Sequence, residues 1–253
     1  MGFDLRELSR DDFLGGKLEI YQPKSGHRAG IDPVLLAAAV DSAPGDTVLE
    51  LGCGSGVASL CLARRVGGID LVGVELQETY GQLARLNAAE NKIPFAVFTS
   101  DIANLPIQVR SRSFSHVIAN PPYYRRGGGT AATDPGRDLA LMGSTPMRLW
   151  VDVATRRLIP GGYLTFIQKA DRLADLLSGF DDRLGSVTVK PITPRAGRRA
   201  ELVLVQARKG SRGEFQLLSP LVLHKGANHD GDRDSYTEEI RNVLRNGGPI
   251  SVF

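Results

Sequence analysis

The chain has 253 residues, of which 42% are apolar and 23% charged, which excludes a disordered or fibrous protein and predicts a globular fold with a substantial core. Its formal net charge of +3 does not by itself indicate a polyanion partner. The two cysteines cannot form a disulfide framework, and neither a signal pattern nor a membrane-length apolar run occurs, so the expected setting is the cytoplasm.

The predicted elements begin with a small strand-and-loop extension, because residues 1–30 are short apolar pieces broken by glycine and proline. Asp32 and Pro33 then predict the start of a helix over residues 34–40, with Asp32 as its cap. Strands and helices alternate from Thr47, which predicts a mostly parallel sheet covered on both faces. The predicted strands are 47–51, 71–76, 96–99, 117–119 and 163–168, and the predicted helices are 57–66, 77–91 and 147–158.

The last part of the chain follows a different pattern. Residues 187–192 and 202–207 lie too close in sequence for a crossover helix, which predicts an antiparallel pair at the sheet edge. Ser235 and Glu238 form a capping box before a short terminal helix. We therefore expect one core domain with decorations: an N-terminal extension, a central domain and a strand and helix tail, over residues 1–30, 31–209 and 210–253.

A glycine-rich turn follows the first predicted strand of the alternating region. Gly52, Gly54 and Gly56 lie where a Cβ would collide with a ligand against the backbone or with packing under the turn. A dinucleotide fingerprint needs its third glycine at the position of Val57, and a phosphate-binding loop needs Gly-Lys followed by Ser or Thr. Neither pattern is present, so the turn predicts a ligand without a pyrophosphate.

Acidic residues stand at the ends of three successive predicted strands. Glu50 can pair with a cationic amino group, Glu75 can accept both hydroxyls of a ribose, and Asp101 can accept from an adenine amine while Ile102 packs on the ring. S-adenosylmethionine has an amine, a diol and an adenine and carries no phosphate, so it is the predicted cofactor. The residues predicted to bind it are Glu50, Gly52, Cys53, Gly54, Gly56, Glu75, Leu76, Asp101, Ile102 and Asn120.

The predicted catalytic residues are Asn120, Pro121, Pro122 and Tyr123, directly after the strand at 117–119. An exocyclic amine is a poor nucleophile because its lone pair is delocalised into the ring. The Asn120 side-chain oxygen and the Pro121 carbonyl can draw its hydrogens toward a pyramidal geometry, while the prolines stiffen the turn and Tyr123 stacks on the base. In isolation such a tetrapeptide is most often a simple turn, but its place beside a cofactor loop favours methyl transfer to nitrogen.

These motifs resemble the class I S-adenosylmethionine-dependent amino-methyltransferases. The resemblance implies an α/β, Rossmann-like fold with a seven-stranded, mostly parallel sheet and an antiparallel hairpin at its edge. Further segments resemble the family that methylates N6 of the adenosine beside the anticodon of bacterial valine tRNA: residues 13–17, 21–28, 31–32, 194–198 and 236–239. The implied function is transfer of a methyl group to that adenosine.

Basic residues indicate where RNA would bind. Between Lys190 and Gly213 seven basic residues accompany one acid, although a solvated basic face explains this stripe equally well. Two further arginines follow the transfer motif directly. The predicted RNA contacts are Lys24, His27, Arg28, Arg125, Arg126, Arg195, Arg198 and Arg199. We expect tRNA as the partner of a monomer that needs neither a metal nor a membrane.

Three alternatives remain. A methyltransferase for guanine N2 of ribosomal RNA is one, although such proteins often carry a duplicated domain. A methyltransferase for glutamine N5 of a release factor shares the Asn-Pro-Pro-Tyr motif, but that family normally has a helical domain before the cofactor loop, and only 46 residues precede Thr47. The third is an RNA-binding protein that has kept the fold and lost transfer.

Overall fold

The computed structural model of the chain describes residues 3–122, 145–226 and 235–250. Strands and helices alternate through the central part, as the sequence predicts. The strands in the described ranges are β1 Leu8–Phe13, β2 Leu18–Pro23, β3 Thr47–Leu51, β4 Asp70–Glu75, β5 Ala96–Thr99, β6 Phe114–Ala119, β7 Leu158–Lys169, β8 Leu184–Thr193, β9 Leu202–Lys209, β10 Gln216–Leu217 and β11 Leu221–Val222. The α-helices there are α1 Asp32–Ala38, α2 Val57–Val66, α3 Glu78–Glu90, α4 Ile107–Arg110, α5 Met147–Arg157, α6 Leu173–Leu177 and α7 Glu238–Arg241.

The main sheet has seven principal strands in the order β5-β4-β3-β6-β7-β9-β8. The strands from β5 to β7 are parallel, whereas β9 is antiparallel to both β7 and β8. This confirms the predicted fold class, including the antiparallel pair at the edge. The short β10 and β11 of the tail pair with β8 at the outer edge.

Alternating side chains on β3 explain why helices cover both faces of the sheet. Val48 belongs to the apolar core that contains α1 and α2, whereas Leu49 and Leu51 belong to the core that contains α5. Neighbouring residues of a strand point to opposite faces, so a strand buried on both sides carries apolar residues on both faces. Complete burial of a leucine side chain contributes about 1.5–3 kcal/mol, which makes β3 a strongly stabilised centre for the site.

Two of the predicted helix caps are wrong. Ile31, rather than Asp32, precedes the first residue of α1, and its side chain makes no capping hydrogen bond. Thr237, rather than Ser235, caps α7 by accepting from the backbone N–H of Ile240. The Ser235 hydroxyl instead lies 3.0 Å from Nδ1 of His224, because the neighbouring β11 segment offers a partner that local sequence does not reveal.

The N-terminal extension is an antiparallel hairpin of β1 and β2 that α3 holds by two side-chain amides. The Asn87 amide accepts from the N–H of Tyr21 (2.8 Å) and donates to its carbonyl (3.1 Å). Asn91, one helical turn later, makes the same pair with Glu19 at 3.1 and 2.7 Å. The two amides therefore bond to β2 as a neighbouring strand would.

Both flanking parts of the chain share one core with the central part. Leu18 and Ile20 of the hairpin and Ile240 and Val243 of the tail belong to the same apolar cluster as α1. The division into residues 1–30, 31–209 and 210–253 remains a prediction, and this packing indicates that the outer parts support the central one. In the part of the chain that the structure describes, no helix combines the length and apolar character needed to cross a membrane.

Candidate active site

The predicted site residues lie at the carboxyl ends of the parallel strands, where β6, β3, β4 and β5 end side by side. Leu51 is in register with Ala119 on one side and with Val74 on the other. Glu75 is in register with Thr99. The chain runs from β3 outward through β4 and β5 and then returns to β6 on the other side of β3, and such switch points open a crevice beyond the carboxyl ends of the strands.

The three glycines of the turn after β3 have different roles. All have positive φ, at 67° for Gly52, 52° for Gly54 and 85° for Gly56. A Cβ on Gly52 would lie 2.7 Å from the ring of Trp150, and one on Gly56 would lie 3.1 Å from the ring of Phe95. A Cβ on Gly54 would meet nothing within 4 Å. Gly52 and Gly56 therefore permit packing, while Gly54 faces the space that a ligand can enter.

Glu75 joins this turn to the loop after β4. Its Oε2 accepts from the N–H of Gly54 at 2.8 Å, and its Oε1 accepts from the N–H of Gln77 at 2.9 Å. Burial raises the pKa of the Glu75 carboxyl, while these backbone bonds act in the opposite direction. Each carboxylate oxygen has a further lone pair, so the fixed group can still accept from hydroxyls of a ligand.

Glu50 faces helix α2. It is 3% exposed, and its Oε2 accepts from the N–H and the hydroxyl of Ser59 in the first turn of that helix. Burial raises the pKa of the Glu50 carboxyl to about 8, although the bonds from Ser59 lower it. The observed contact is therefore with the helix start, and the pairing of Glu50 with a cationic amino group remains a prediction.

Asp101 is exposed just beyond β5 and caps the short turn Ile102–Asn104, where its Oδ1 accepts from the N–H of Ala103 at 2.9 Å. Ile102 is only 7% exposed and belongs to the core beneath the sheet. Leu76, directly after the end of β4, is 55% exposed. Ile102 and Leu76 are both predicted to bind the cofactor, and of the two Leu76 presents the accessible surface.

The transfer turn contains an unused acceptor. Oδ1 of Asn120 is buried and has no hydrogen-bond partner among the described residues. Pro121 is buried, and its carbonyl accepts from Nε2 of Gln168 at 3.1 Å. Pro122 is exposed, and Tyr123 lies outside the described residues. A buried acceptor without a partner costs about 1–3 kcal/mol, so Asn120 is suited to bind a donor supplied by a ligand.

Four of the predicted RNA contacts are exposed residues at the two flanks of the crevice. Arg198 and Arg199 lie in the loop between β8 and β9. β9 begins beside the end of β7, so this loop lies on the same side of the sheet as the carboxyl ends of the strands and the site. Lys24 and His27 follow β2, and the N–H of His27 donates to the Tyr80 hydroxyl at 3.0 Å, near the start of α3. A polyanion could therefore reach these residues on both sides of the crevice.

Several of the predicted RNA contacts have structural partners, and Nζ of Lys24 donates to the carbonyl of Arg6 at 2.9 Å. Arg28 is exposed but is bound to Asp11 and to the Pro23 carbonyl. Arg195 is 9% exposed, and its guanidinium donates to backbone carbonyls of the segment after β11. Both arginines therefore have structural partners that a bound RNA would have to replace. Arg125 and Arg126 lie outside the described residues.

The residues present fit a cationic nucleoside cofactor. Acidic groups, an open backbone turn and an exposed apolar side chain surround the crevice, and an unsatisfied amide oxygen lies next to them. Acidic groups favour an amine, a diol and a sulfonium, and they disfavour phosphates. Within the described ranges, no group of three or more His, Cys, Asp or Glu side chains is arranged to hold a metal ion.

Two residues with contacts to the site were absent from the sequence prediction. Gln168, which contacts Pro121, is a polar residue in the buried and mostly apolar second half of β7. Asn87 donates to the Ser55 carbonyl of the glycine-rich turn at 2.9 Å, and it lies on the buried face of α3. In both cases a polar side chain within a buried apolar pattern could have indicated these residues from the sequence.

A parallel sheet with this strand order and this crevice defines a class I methyltransferase fold. The sequence profile of the methyltransferase small domain matches residues 28–188. The chain belongs to this family, and the predicted membership is confirmed. S-adenosylmethionine is the cofactor of class I methyltransferases, in agreement with the prediction from the three acids.

Among sequence relatives, a tRNA1(Val) (adenine(37)-N6)-methyltransferase from Dickeya chrysanthemi is 29% identical over 198 residues, or 76% of this chain and 77% of that protein. A protein with the same name from Porphyromonas gingivalis is 30% identical over 199 residues, or 74% of each chain. These relatives agree with the resemblance of residues 13–17, 21–28 and 194–198 to the family that methylates N6 of the adenosine beside the anticodon of valine tRNA.

Solved structures show the same fold. A predicted O-methyltransferase from Agrobacterium tumefaciens has a TM-score of 0.68 and 23% identity, over 87% of this chain and 98% of that one. A 16S rRNA N2 G1207 methyltransferase from T. thermophilus, in complex with AdoMet and guanosine, has a TM-score of 0.57 and 22% identity, over 80% of this chain and 50% of that one.

Proposed function

We propose that the protein transfers a methyl group from S-adenosylmethionine to the exocyclic N6 of an adenosine in tRNA, with the adenosine beside the anticodon of valine tRNA as the favoured target. The observation that carries the proposal is the buried Oδ1 of Asn120 beside the glycine-rich turn, which has no hydrogen-bond partner in the part of the chain that the structure describes. The names of the sequence relatives support the choice of tRNA and of N6.

Asn120 and Pro121 would hold the amine while it reacts. Each presents an oxygen that can accept one N–H of the exocyclic amine, which favours a pyramidal nitrogen in the transition state over the planar ground state. When bound, S-adenosylmethionine would supply an electrophilic methyl carbon with its sulfur as the leaving group, and the proton displaced from the amine would go to water. Because this proton becomes acidic only as the N–C bond forms, no side-chain base is required.

Glu75, Asp101 and Gly54 would hold the cofactor. The fixed Glu75 carboxylate would accept from the ribose hydroxyls, Asp101 would accept from the adenine amine, and the backbone at Gly54 would allow close approach. Leu76 would pack against the adenine ring. Glu50 would support the same turn through its bonds to the first turn of α2.

We also propose that the protein works as a monomer in the cytoplasm and without a metal. All the described strands that border the crevice belong to one sheet of a single chain, which supports a monomer. The exposed residues Lys24, His27, Arg198 and Arg199 would contact phosphates of the tRNA on both sides of the crevice. The roles of Tyr123, Arg125 and Arg126 belong to the same proposal: base stacking for the first and phosphate contact for the other two.

A methylation assay tests this function. The protein is incubated with S-adenosylmethionine labelled in the methyl group and with separate pools of unmodified tRNA, ribosomal RNA and release factor. The products are digested and identified by mass spectrometry. We expect N6-methyladenosine in the tRNA pool, mapped to the position beside the anticodon of valine tRNA.

Asn120→Ala is the inactive comparison, and Asn246→Ala, an exposed position in the tail, is the matched control that retains activity. N2-methylguanosine in ribosomal RNA or N5-methylglutamine in the release factor would replace the proposed substrate with an alternative. Absence of any methylated product, with RNA binding intact, would indicate an RNA-binding protein without transfer activity.

A further inference from the structure

Gln168 lies at the end of β7 and reaches the transfer turn from the neighbouring strand. It is completely buried. Its Nε2 donates to the carbonyl of Pro121 at 3.1 Å, and its Oε1 accepts from the N–H of Lys169 at 2.8 Å. Both ends of the side-chain amide are therefore bonded, which fixes the direction in which Nε2 points.

The register of the sheet explains why this side chain meets the turn. β6 and β7 are parallel, and Ala119 pairs with Phe166. Two residues further on, Pro121 and Gln168 occupy the corresponding positions beyond the end of the ladder. Proline has no N–H for a ladder bond, so the turn leaves the sheet at this point. The Gln168 amide supplies a bond between the two strands after the regular ladder has ended.

We propose that Gln168 is the positioning residue that fixes the acceptor pair of the transfer turn. This inference rests on the proposed methyl transfer to an exocyclic amine. A carbonyl oxygen has two lone pairs, and Gln168 occupies one of those of Pro121. The bond sets the plane of the peptide that joins Pro121 to Pro122, so the second lone pair and the adjacent Asn120 amide keep one direction relative to the amine.

The same sheet contains a matched glutamine that does not contact the turn. Gln206 on β9 is 6% exposed, and its Nε2 lies 3.3 Å from the hydroxyl of Thr165. Replacement of either glutamine by methionine removes a buried amide and keeps a side chain of similar length. The two variants should therefore lose similar stability, while only Gln168→Met should release the turn.

The test compares Gln168→Met and Gln206→Met with the wild type. The measurements are kcat and KM for tRNA, the Kd for S-adenosylmethionine by calorimetry and the thermal midpoint of unfolding. Misplacement of a reacting group by about 1 Å can cost about 100-fold in rate. We expect kcat to fall about 10- to 100-fold for Gln168→Met, with cofactor Kd changed less than about twofold, and Gln206→Met to retain kcat within about twofold.

Gln168→Glu is a second variant, because it keeps an acceptor for the Lys169 N–H but has no donor for the Pro121 carbonyl when ionised. It should show the same loss of kcat at a pH high enough to ionise the buried carboxyl. A crystal structure of Gln168→Met without substrate gives a readout that is independent of activity, and the Pro121 carbonyl should be rotated from its wild-type direction.

An unmoved carbonyl in that crystal structure, or equal loss of kcat in Gln168→Met and Gln206→Met, would overturn the positioning role. Failure of the proposed function would look different, because the wild type itself would then give no N6-methyladenosine, while the crystal structure would still report on the carbonyl.

Discussion

Among individual residues, Glu50 and Asn120 both have buried side-chain oxygens, but the two differ in whether those oxygens accept hydrogen bonds. The carboxyl of Glu50 has partners on Ser59, whereas Oδ1 of Asn120 has none among the described residues. A satisfied buried group stabilises the fold, and an unsatisfied one is a candidate for function. Replacements at these positions should therefore act on different properties, stability for Glu50 and turnover for Asn120.

The first prediction concerns the pH dependence of stability. Burial raises the pKa of the Glu50 carboxyl from its ordinary value of 4.5 to about 8. The stabilising effect of the protonated carboxyl is therefore fully present below the unfolded pKa and is lost as the pH rises through the folded one. Glu50→Gln cannot ionise and keeps an acceptor for Ser59, so its urea midpoint should fall less than that of the wild type between about pH 5 and pH 9.

Glu90→Gln, at the exposed end of α3, is the control for this comparison and should follow the wild-type curve. If the urea midpoints of Glu50→Gln and the wild type fall equally between about pH 5 and pH 9, the Glu50 carboxyl does not titrate with a raised pKa.

The second prediction separates binding from transfer. Asp101→Ala removes a proposed acceptor for the adenine amine and should weaken cofactor binding about 10- to 150-fold, in line with roughly 1.5–3 kcal/mol for a bond to a charged group. Asn120→Ala should lower kcat about 100-fold or more, as removal of a donor or acceptor that acts in the transition state does, and leave cofactor affinity largely unchanged. Calorimetry and single-turnover kinetics measure the two effects, and equal loss of cofactor affinity in both variants would contradict the assignment.

Among the helices and strands, α3 connects the N-terminal hairpin to the glycine-rich turn. Asn87 bonds to Tyr21 of β2 and to the carbonyl of Ser55 in the turn, whereas Asn91 bonds to Glu19 of β2 and to its own helix. One helical face therefore carries two anchors of the same hairpin, and only one of them also touches the cofactor loop.

The third prediction uses this matched pair. Asn87→Ala and Asn91→Ala should each destabilise the protein by about 1–3 kcal/mol, because backbone groups of β2 lose partners. Only Asn87→Ala should also weaken S-adenosylmethionine binding, by about 3- to 10-fold, because the Ser55 carbonyl loses a partner. Urea unfolding and calorimetry measure the two effects. Equal cofactor affinity in the two variants would show that the anchor does not influence the loop.

The strand ends and the glycine-rich turn were predictable from the sequence because their signals are local. The strands at 47–51 and 96–99 and the helix at 57–66 have the predicted bounds, since apolar runs and glycines mark them directly. The contact between Gln168 and Pro121 depends on the register of β6 and β7, which residues far apart in sequence determine. The predicted cap at Ser235 was wrong because of another contact between distant residues: the Ser235 hydroxyl bonds to His224 on another segment.

Across the molecule as a whole, acidic groups lie in the crevice and exposed cations lie beside it. Lys24 follows the hairpin on the side of α3, where the N–H of His27 donates to Tyr80, and Arg198 and Arg199 lie on the side of β8 and β9. In this arrangement the centre attracts a cationic cofactor and the flanks attract a polyanion, so the small net charge does not exclude RNA.

The fourth prediction concerns the salt dependence of tRNA binding. The double replacement of Arg198 and Arg199 by alanine should weaken binding and reduce the slope of log K against log salt by about 0.7–0.9 for each phosphate that the protein no longer neutralises. The control is the double replacement of Arg110 and Arg212 by alanine. These exposed arginines lie at the other ends of the strands, where β6 begins and β9 ends. Filter binding at several salt concentrations measures both slopes, and equal slopes would remove this loop from the RNA-binding surface.

The proposed chemistry depends above all on the turn after β6, where the Asn120 amide would hold the exocyclic amine. A crystal structure of the protein with S-adenosylhomocysteine and adenosine examines this geometry without any intervening step. We expect Oδ1 of Asn120 at about 2.8–3.1 Å from N6 of the adenosine, with that nitrogen directed at the cofactor sulfur. An Asn120 amide turned away from both the sulfur and the adenosine would show that the turn does not hold the amine.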